Sequence, residues 1–368
     1  MKRMIAAAFL FILCSAAFSQ SDSFDPEKWQ IDAVESKTVD HLGRKSLYLK
    51  GGSAVLKDVE LLNGVIEFDM AFSEVRTFTG CVWRIQDANN YEEFYVRPHL
   101  NRKADAGQYT PVFNGMSAWQ LYGGEGYWAN IEFKYDAWNH VKIVISGDRG
   151  EVYFNDMEKP VVVFHEQKHK PLAGKIGLKA NNRAPTWFSN FRYTSIDAPK
   201  LMGEPVARRK PEKETITAWQ ISSRFGENDL ENVVKLSDAE KKSLQWQSLK
   251  VEDAGVANFS RLHARGQADQ NTVFARLVID SEKDQVKKIH FGYSDRVKVF
   301  VNDHAVYSGS NDYVSRDYRY LGTIGYFDSV YLPLRQGKNE VWFAVSENFG
   351  GWGIMAKLDS LDGVTLKY

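Results

Sequence analysis

At 368 residues the chain is too long for one ordinary small core and predicts about two domains. Its 47 Lys and Arg balance its 47 Asp and Glu, so no net field draws it to nucleic acid or to an acidic polymer. Aromatic residues make up 13% of the chain, a share that suits β-structure and carbohydrate contact alike.

The N-terminus has the pattern of an export signal. Lys2 and Arg3 precede an apolar run from Met4 to Leu13, and Ala17-Phe18-Ser19 puts small residues at the two positions a signal peptidase reads. Residues 1–19 are therefore expected to be removed, leaving Gln20 first and the protein periplasmic or extracellular. Cys14 follows the bulky Leu13 where a lipidation site wants a small residue, so no lipid anchor is expected. No later segment reaches the roughly 18 apolar residues of a membrane span. Cys81 is then the only mature cysteine and cannot form an internal disulfide. Within Gly80-Cys81-Val82-Trp83 it is expected to be a small buried strand residue.

Helical periodicity is nearly absent, and short strands separated by Gly, Asn and Asp turns dominate. The clearest strand is Gly64 to Phe72, where Ile66, Phe68, Met70 and Phe72 alternate with Glu67 and Asp69. Further strands are expected at 80–85, 92–97, 138–146, 150–154, 174–180 and 187–193, with Asn155-Asp156 as a hairpin turn. The apolar pattern stops over 196–214, where Pro199, Pro205 and the run Arg208 to Glu214 make a charged linker. One short helix is expected after Ser237, which has capping-box spacing to Glu240. Strands resume with Trp219-Gln220-Ile221 and then at 272–279, 287–293, 296–302, 329–334, 339–348 and 352–358, with turns at Asn302-Asp303 and Gly337-Lys338-Asn339. The fold class is all-β: two antiparallel β-sandwich (jelly-roll) domains in tandem, at 22–195 and 215–368.

The stretch Tyr95 to Tyr122 carries the chemistry. Alternation puts Tyr95, Arg97 and His99 on one side of a strand, with Phe94 and Val96 on the other. Arg offers a planar fork of donors and His two ring nitrogens, which suits vicinal hydroxyls. Aromatic faces can cover the apolar side of a sugar ring while their polar tips stay hydrated. Trp119, Gln120 and Tyr122 could close a far wall, with Asp105, Gln108 and Asn114 between. The alternative is structural, with Arg97 paired to Glu67 or Asp69 across the sheet. In the second half, Asn348-Phe349-Gly350-Gly351-Trp352 could be a sugar platform or a plug at the core edge. Tyr313, Asp317, Tyr318 and Tyr320 form a further polar aromatic cluster.

Residues 22–195 resemble concanavalin A-like jelly rolls, and most closely the family 16-like or 3-keto-disaccharide hydrolase domains. The resemblance rests on Gly64 to Phe72, Arg84 with Asp87 to Tyr91, Trp138 to Lys142, and Gly174 to Leu178. It implies two curved antiparallel sheets with a ligand groove on the concave face, and Arg84 joins Tyr95, Arg97 and His99 as a candidate ligand contact. Glycosidases of family 16 carry Glu-x-Asp-x-x-Glu on such a strand. Here Glu67 and Asp69 supply the first two acids, as weak catalytic candidates, and Phe72 stands in place of the last. Phe cannot move a proton, so the usual retaining mechanism is in doubt. Residues 215–368 resemble galactose-binding-like jelly rolls, through Gly292 to Asp295, Val299 to Asp303 and Leu332 to Val341.

No cofactor and no metal ligand set is expected, because His99, His140, His165 and His169 lack ligand spacing. Lectin-like jelly rolls that hold calcium leave a structural calcium ion open. The expected function is carbohydrate binding on the concave face of the first sandwich. The alternatives are a glycoside or 3-keto-disaccharide hydrolase with an altered carboxylate set, and a non-catalytic protein-interaction module.

Overall fold

A computed structural model describes residues 19–20, 24–204, 207, 210–264, 266, 268–317 and 319–368. Apart from Ser19, the expected export signal and its Cys14 lie outside the described residues. The chain is built almost entirely of antiparallel β-sheet, with one short α-helix among the described residues.

In the first half, fourteen strands hydrogen-bond into one sheet. The sheet curls so that one face closes on a single apolar cluster, in which Trp29, Phe68, Trp83 and Phe191 are buried. Each such ring removed from water stabilises the fold by roughly 2–3 kcal/mol. The curl depends on one long hairpin, Trp29–His41 and Arg44–Leu56, which turns at Leu42-Gly43. In its second strand the buried apolar residues are Leu47 and Leu49, then Ala54 and Leu56, so the inward parity changes between them. The change falls at Gly51-Gly52, where Gly51 has φ 69° and a Cβ on Gly52 would lie 2.0 Å from the Asp32 carbonyl oxygen. Before this corner the strand pairs with Thr186–Ser195; after it, with Lys175–Ala180. One strand thus serves both walls of the sandwich.

The wall holding Gly64–Ala71 follows the expected alternation, with Ile66, Phe68, Met70 and Phe72 all inward. Cys81 is buried in the same core, and burial pushes its thiol pKa up. Asn155-Asp156 does not make a two-residue hairpin. Strands Arg149–Phe154 and Val162–Phe164 are joined by a longer loop that begins with Asn155 at φ 61°.

The second half holds a seven-stranded and a four-stranded sheet around a core containing Trp219, Phe291, Phe343 and Trp352. Asn302-Asp303 makes the expected tight turn, with φ 46° and 74°. Gly337 instead begins a strand, and Arg335-Gln336 carries the chain from one sheet to the other. The helix Asp238–Ser243 starts on the expected cap. Ser237 Oγ accepts the Glu240 N–H at 3.2 Å, and Glu240 Oε2 accepts the Ser237 N–H at 2.6 Å. None of its residues is buried, so the cap is a large share of its stability. Ser237→Ala is expected to lower the unfolding free energy by about 1 kcal/mol in urea titration. An unchanged midpoint would mean that the cap contributes nothing.

Candidate functional site

The strands Thr79–Asp87, Asn90–Val96 and Gly107–Phe113 lie side by side with Lys175–Ala180. Their register sets Lys179, Gly80, Tyr95 and Gln108 in one row. Because Phe94 and Val96 point into the core, Tyr95 and Arg97 face outward, as alternation predicts. Gly80 is required in this row, since a Cβ there would lie 2.0 Å from the Phe94 carbonyl oxygen. Pro98 ends the strand and begins a 3-10 turn, Pro98–Leu100, so the turn and not strand alternation places His99.

These residues form the floor and one side of a cavity of about 370 Å³. Five of the expected ligand residues line it: Tyr95, Arg97, His99, Asp105 and Trp119. The opposite side comes from the second half, through Tyr313, Leu321 and Phe349. Trp119 meets Phe349 at 5.7 Å and Tyr313 at 6.4 Å between ring centres, both edge-on. Tyr313 and Phe349 meet in the same way at 6.2 Å. Sequence reasoning joined Phe349 and Trp352 in one aromatic loop, but the structure separates them. Phe349 is 55% exposed at the cavity, while Trp352 is buried with its indole N–H on the Val345 carbonyl. Of the second aromatic cluster, Tyr313 reaches the cavity, Tyr320 donates to Asn311, and Tyr318 lies outside the described residues.

Arg97 organises the floor. Its guanidinium donates to the Asp105 carbonyl at 2.6 Å, to the Tyr95 hydroxyl at 2.7 Å and to Gln108 Oε1, and stacks 4.8 Å from the Tyr95 ring centre. It does not pair with Glu67 or Asp69. Its carboxylate neighbour is Asp105, at 4.0 Å. Burial pushes the Tyr95 phenol pKa up, against the pull of the Arg97 charge, so it stays a neutral hydroxyl. Burial, Arg76 and Arg97 together hold the His99 pKa below the usual imidazole range, and its enclosed Nδ1 has no hydrogen-bond partner. Glu93 faces the cavity with one oxygen accepting from Lys179 at 2.7 Å and the other from Ser117 at 3.1 Å.

The other five expected contacts lie elsewhere. Arg84 is 1% exposed, sits at φ 49°, and donates to the carbonyls of Leu62 and Gly147, pinning two loops from within. Gln108 is fully buried with both ends of its amide in use. Oε1 accepts from Arg97 and Tyr95, and Nε2 donates to the carbonyls of Trp119 (2.9 Å) and Tyr122 (2.6 Å). It therefore positions the Trp119 loop and has no hydrogen bond left for a ligand. Asn114, Gln120 and Tyr122 bind the second half: Asn114 Nδ2 donates to the Ser260 carbonyl, Gln120 Nε2 to the Leu321 carbonyl, and the Tyr122 hydroxyl to Glu252. Amides and a phenol serve a seam between halves as well as they serve a sugar, so composition does not distinguish the two uses. The contribution of Tyr313 and Phe349 had no sequence signal linking it to Tyr95.

Glu67 and Asp69 do not share the wall of Tyr95. Four strands separate Gly64–Ala71 from Asn90–Val96 along the sheet path, which is roughly 24 Å at the usual strand spacing. Asp69 accepts from His140 at 2.7 Å, Asn190 at 2.6 Å and Arg44, and Glu67 accepts from Arg192 at 2.7 Å. Burial alone would raise the Asp69 pKa, but the hydrogen bonds from His140 and Asn190 outweigh it and hold the carboxyl below its usual range. Phe72 is buried edge-on to Phe133 at 5.4 Å, so the place of a third acid points into the core.

Among the described residues no helix is long and apolar enough to cross a membrane. No family model matches the chain, and no curated protein does. Solved β-sandwich structures do, each over about half of the chain. They include the carbohydrate binding module CBM66 from Bacillus subtilis (19% identity, TM-score 0.36, 46% of this chain and 96% of that one). Domain 4 of AbnA, an extracellular GH43 arabinanase from Geobacillus stearothermophilus solved with arabinotriose, matches at 12% identity and TM-score 0.34 (50% and 95%). A Bacillus subtilis protein with a galectin-like fold matches at 11% identity and TM-score 0.37 (50% and 98%).

Proposed function

We propose that the protein binds a saccharide in the cavity between its halves. The observation that supports this reading is the composition of the cavity's two sides. Trp119, Tyr313 and Phe349 offer apolar ring surface, while Tyr95, Arg97, His99 and Asp105 offer donors and acceptors. A sugar ring needs both kinds of contact at once: an apolar face to cover and hydroxyls to satisfy. The volume falls at the lower end of the about 300–1,000 Å³ usual for small-molecule pockets, which suits a terminal sugar unit better than a long chain.

Binding without cleavage is the reading we favour. The acids Glu67 and Asp69 lie on the far wall in ion pairs, and of the cavity's two carboxylates Glu93 is held by Lys179 and Ser117. We further take the halves as a concanavalin A-like jelly roll at 22–195 and a galactose-binding-like one at 215–368, exported by the signal at 1–19.

A glycan array followed by calorimetric titration of the best ligand tests the assignment. Trp119→Ala is expected to weaken binding by about tenfold or more, the size of effect seen for aromatic anchors. Retention of no glycan by the folded protein, or a change below about twofold in the variant, would overturn the site. Product analysis on the bound glycan is expected to find it intact.

A further inference from the structure

The cavity's charges are unevenly matched. Its walls carry three cations, Arg76, Arg97 and Lys179, and two carboxylates, Glu93 and Asp105. Lys179 pairs with Glu93 at 2.7 Å, and Arg97 has Asp105 at 4.0 Å. Arg76 is exposed at the rim and has no ion pair or side-chain hydrogen bond among the described residues.

A second unpaired guanidinium stands close by. Asn181 lines the cavity, and its side chain accepts the Arg183 backbone N–H at 2.8 Å, so Arg183 sits on the turn beside the same rim. The Asn181 backbone N–H donates in turn to the carbonyl of Phe78, two residues after Arg76, at 2.9 Å. Arg76 and Arg183 both lower the proton affinity of His99, which puts both charges within electrostatic reach of that imidazole. The enclosed, unpartnered Nδ1 of His99 is at this end of the cavity.

We infer that this end of the pocket takes an anionic substituent, so that the preferred ligand is a sugar unit bearing a carboxylate or a sulfate. The inference rests on the saccharide reading above and adds the ligand's charge. Arg76 and Arg183 supply the neutralising charge, and the guanidinium fork matches planar oxyanions with two parallel hydrogen bonds. Burial and the neighbouring guanidinium charges disfavour the charged form of His99, which leaves the positive charge at this end to the arginines. Asp105 is the carboxylate best placed to accept from a ring hydroxyl, far enough from Arg97 to do so. The aromatic side is unaffected and reads the ring itself.

The full chain is titrated with glucuronic acid, galacturonic acid and glucose 6-sulfate, and with glucose and galactose as neutral counterparts. The anionic sugars are expected to bind about tenfold more tightly or better, with an advantage that shrinks by about threefold between low and high salt. A uronate or a sulfate as the best ligand identifies which anion the rim prefers. The double variant R76A/R183A is expected to abolish the advantage and to keep affinity for the neutral sugars within about twofold, both arginines being exposed and outside the core. Its thermal midpoint checks that it is folded. Equal affinity for charged and neutral sugars, unmoved in the double variant, would overturn the anion site and leave the saccharide reading standing. Failure of every sugar, on the array and in titration, to bind the folded wild-type protein would overturn both.

Discussion

Gln120→Ala is expected to weaken saccharide binding by about tenfold or more and to lower stability by about 2–4 kcal/mol, although Gln120 does not touch the cavity. Its side chain is 1% exposed and plugs the second half. Nε2 donates to the Leu321 carbonyl at 2.8 Å, Oε1 accepts from Ser294 Oγ at 3.0 Å, and the backbone N–H donates to Gly350 at 2.9 Å. Gly322 and Gly350 fit around this amide so closely that a Cβ on either would lie 2.2 and 2.3 Å from it. Truncation takes the side-chain donor from the Leu321 carbonyl, leaves Ser294 Oγ only its longer bond to Asp295 Oδ1 at 3.3 Å, and opens a void beside both glycines. Leu321 and Phe349, the neighbours of these contacts, are walls of the cavity, so the wall and the proposed ligand site loosen together. Urea denaturation and calorimetric titration measure the two effects. Full stability with undiminished binding would show that the seam does not shape the site.

The second large effect concerns pH. Glu92 is buried with no exposure, and burial pushes its carboxyl up to about 7, against the Tyr109 hydroxyl and His169 N–H that donate to it. The folded state therefore binds this proton more tightly than the unfolded chain. Stability from this group is fully present below the ordinary carboxylate range and is lost as pH rises to about 7, by roughly 3 kcal/mol. Its neighbour His169 acts oppositely. Burial lowers the imidazole to about 4, so the unfolded chain binds that proton more tightly and stability rises with pH up to the ordinary histidine value. The wild-type curve mixes both, and the informative quantity is the difference from Glu92→Gln. Relative to wild type, the variant should gain about 3 kcal/mol between pH 4.5 and pH 7.5 in urea titrations. Parallel curves across that range would refute a protonated, buried Glu92.

The strand pattern and the all-β class are legible in the chain because period-2 alternation records which face is buried. Phe72 is a good instance: its parity with Ile66, Phe68 and Met70 places it inward, and it is there. The alternation does not say which wall of the sandwich a face belongs to. Glu67 and Tyr95 both point away from the core, yet they lie on opposite walls, because Gly51-Gly52 turns one strand through a corner between them. Chemistry alone singles out Tyr95, Arg97 and Trp119, and the fold brings the three to one cavity. That same chemistry misled at Gln120 and Tyr122, whose partners lie more than a hundred residues away in the chain. Arg84 misled differently: a guanidinium that pins two loops from inside has the same composition signature as one that grips a ligand.

The cavity borrows its walls from two stretches of chain whose apolar cores are otherwise almost entirely separate. Duplicating or exchanging one half would transmit a sandwich without the cavity. Under the proposed reading, ligand preference is inherited jointly, and a drift in the loops bearing Tyr313 and Phe349 must be answered near Trp119 for the same sugar to be kept.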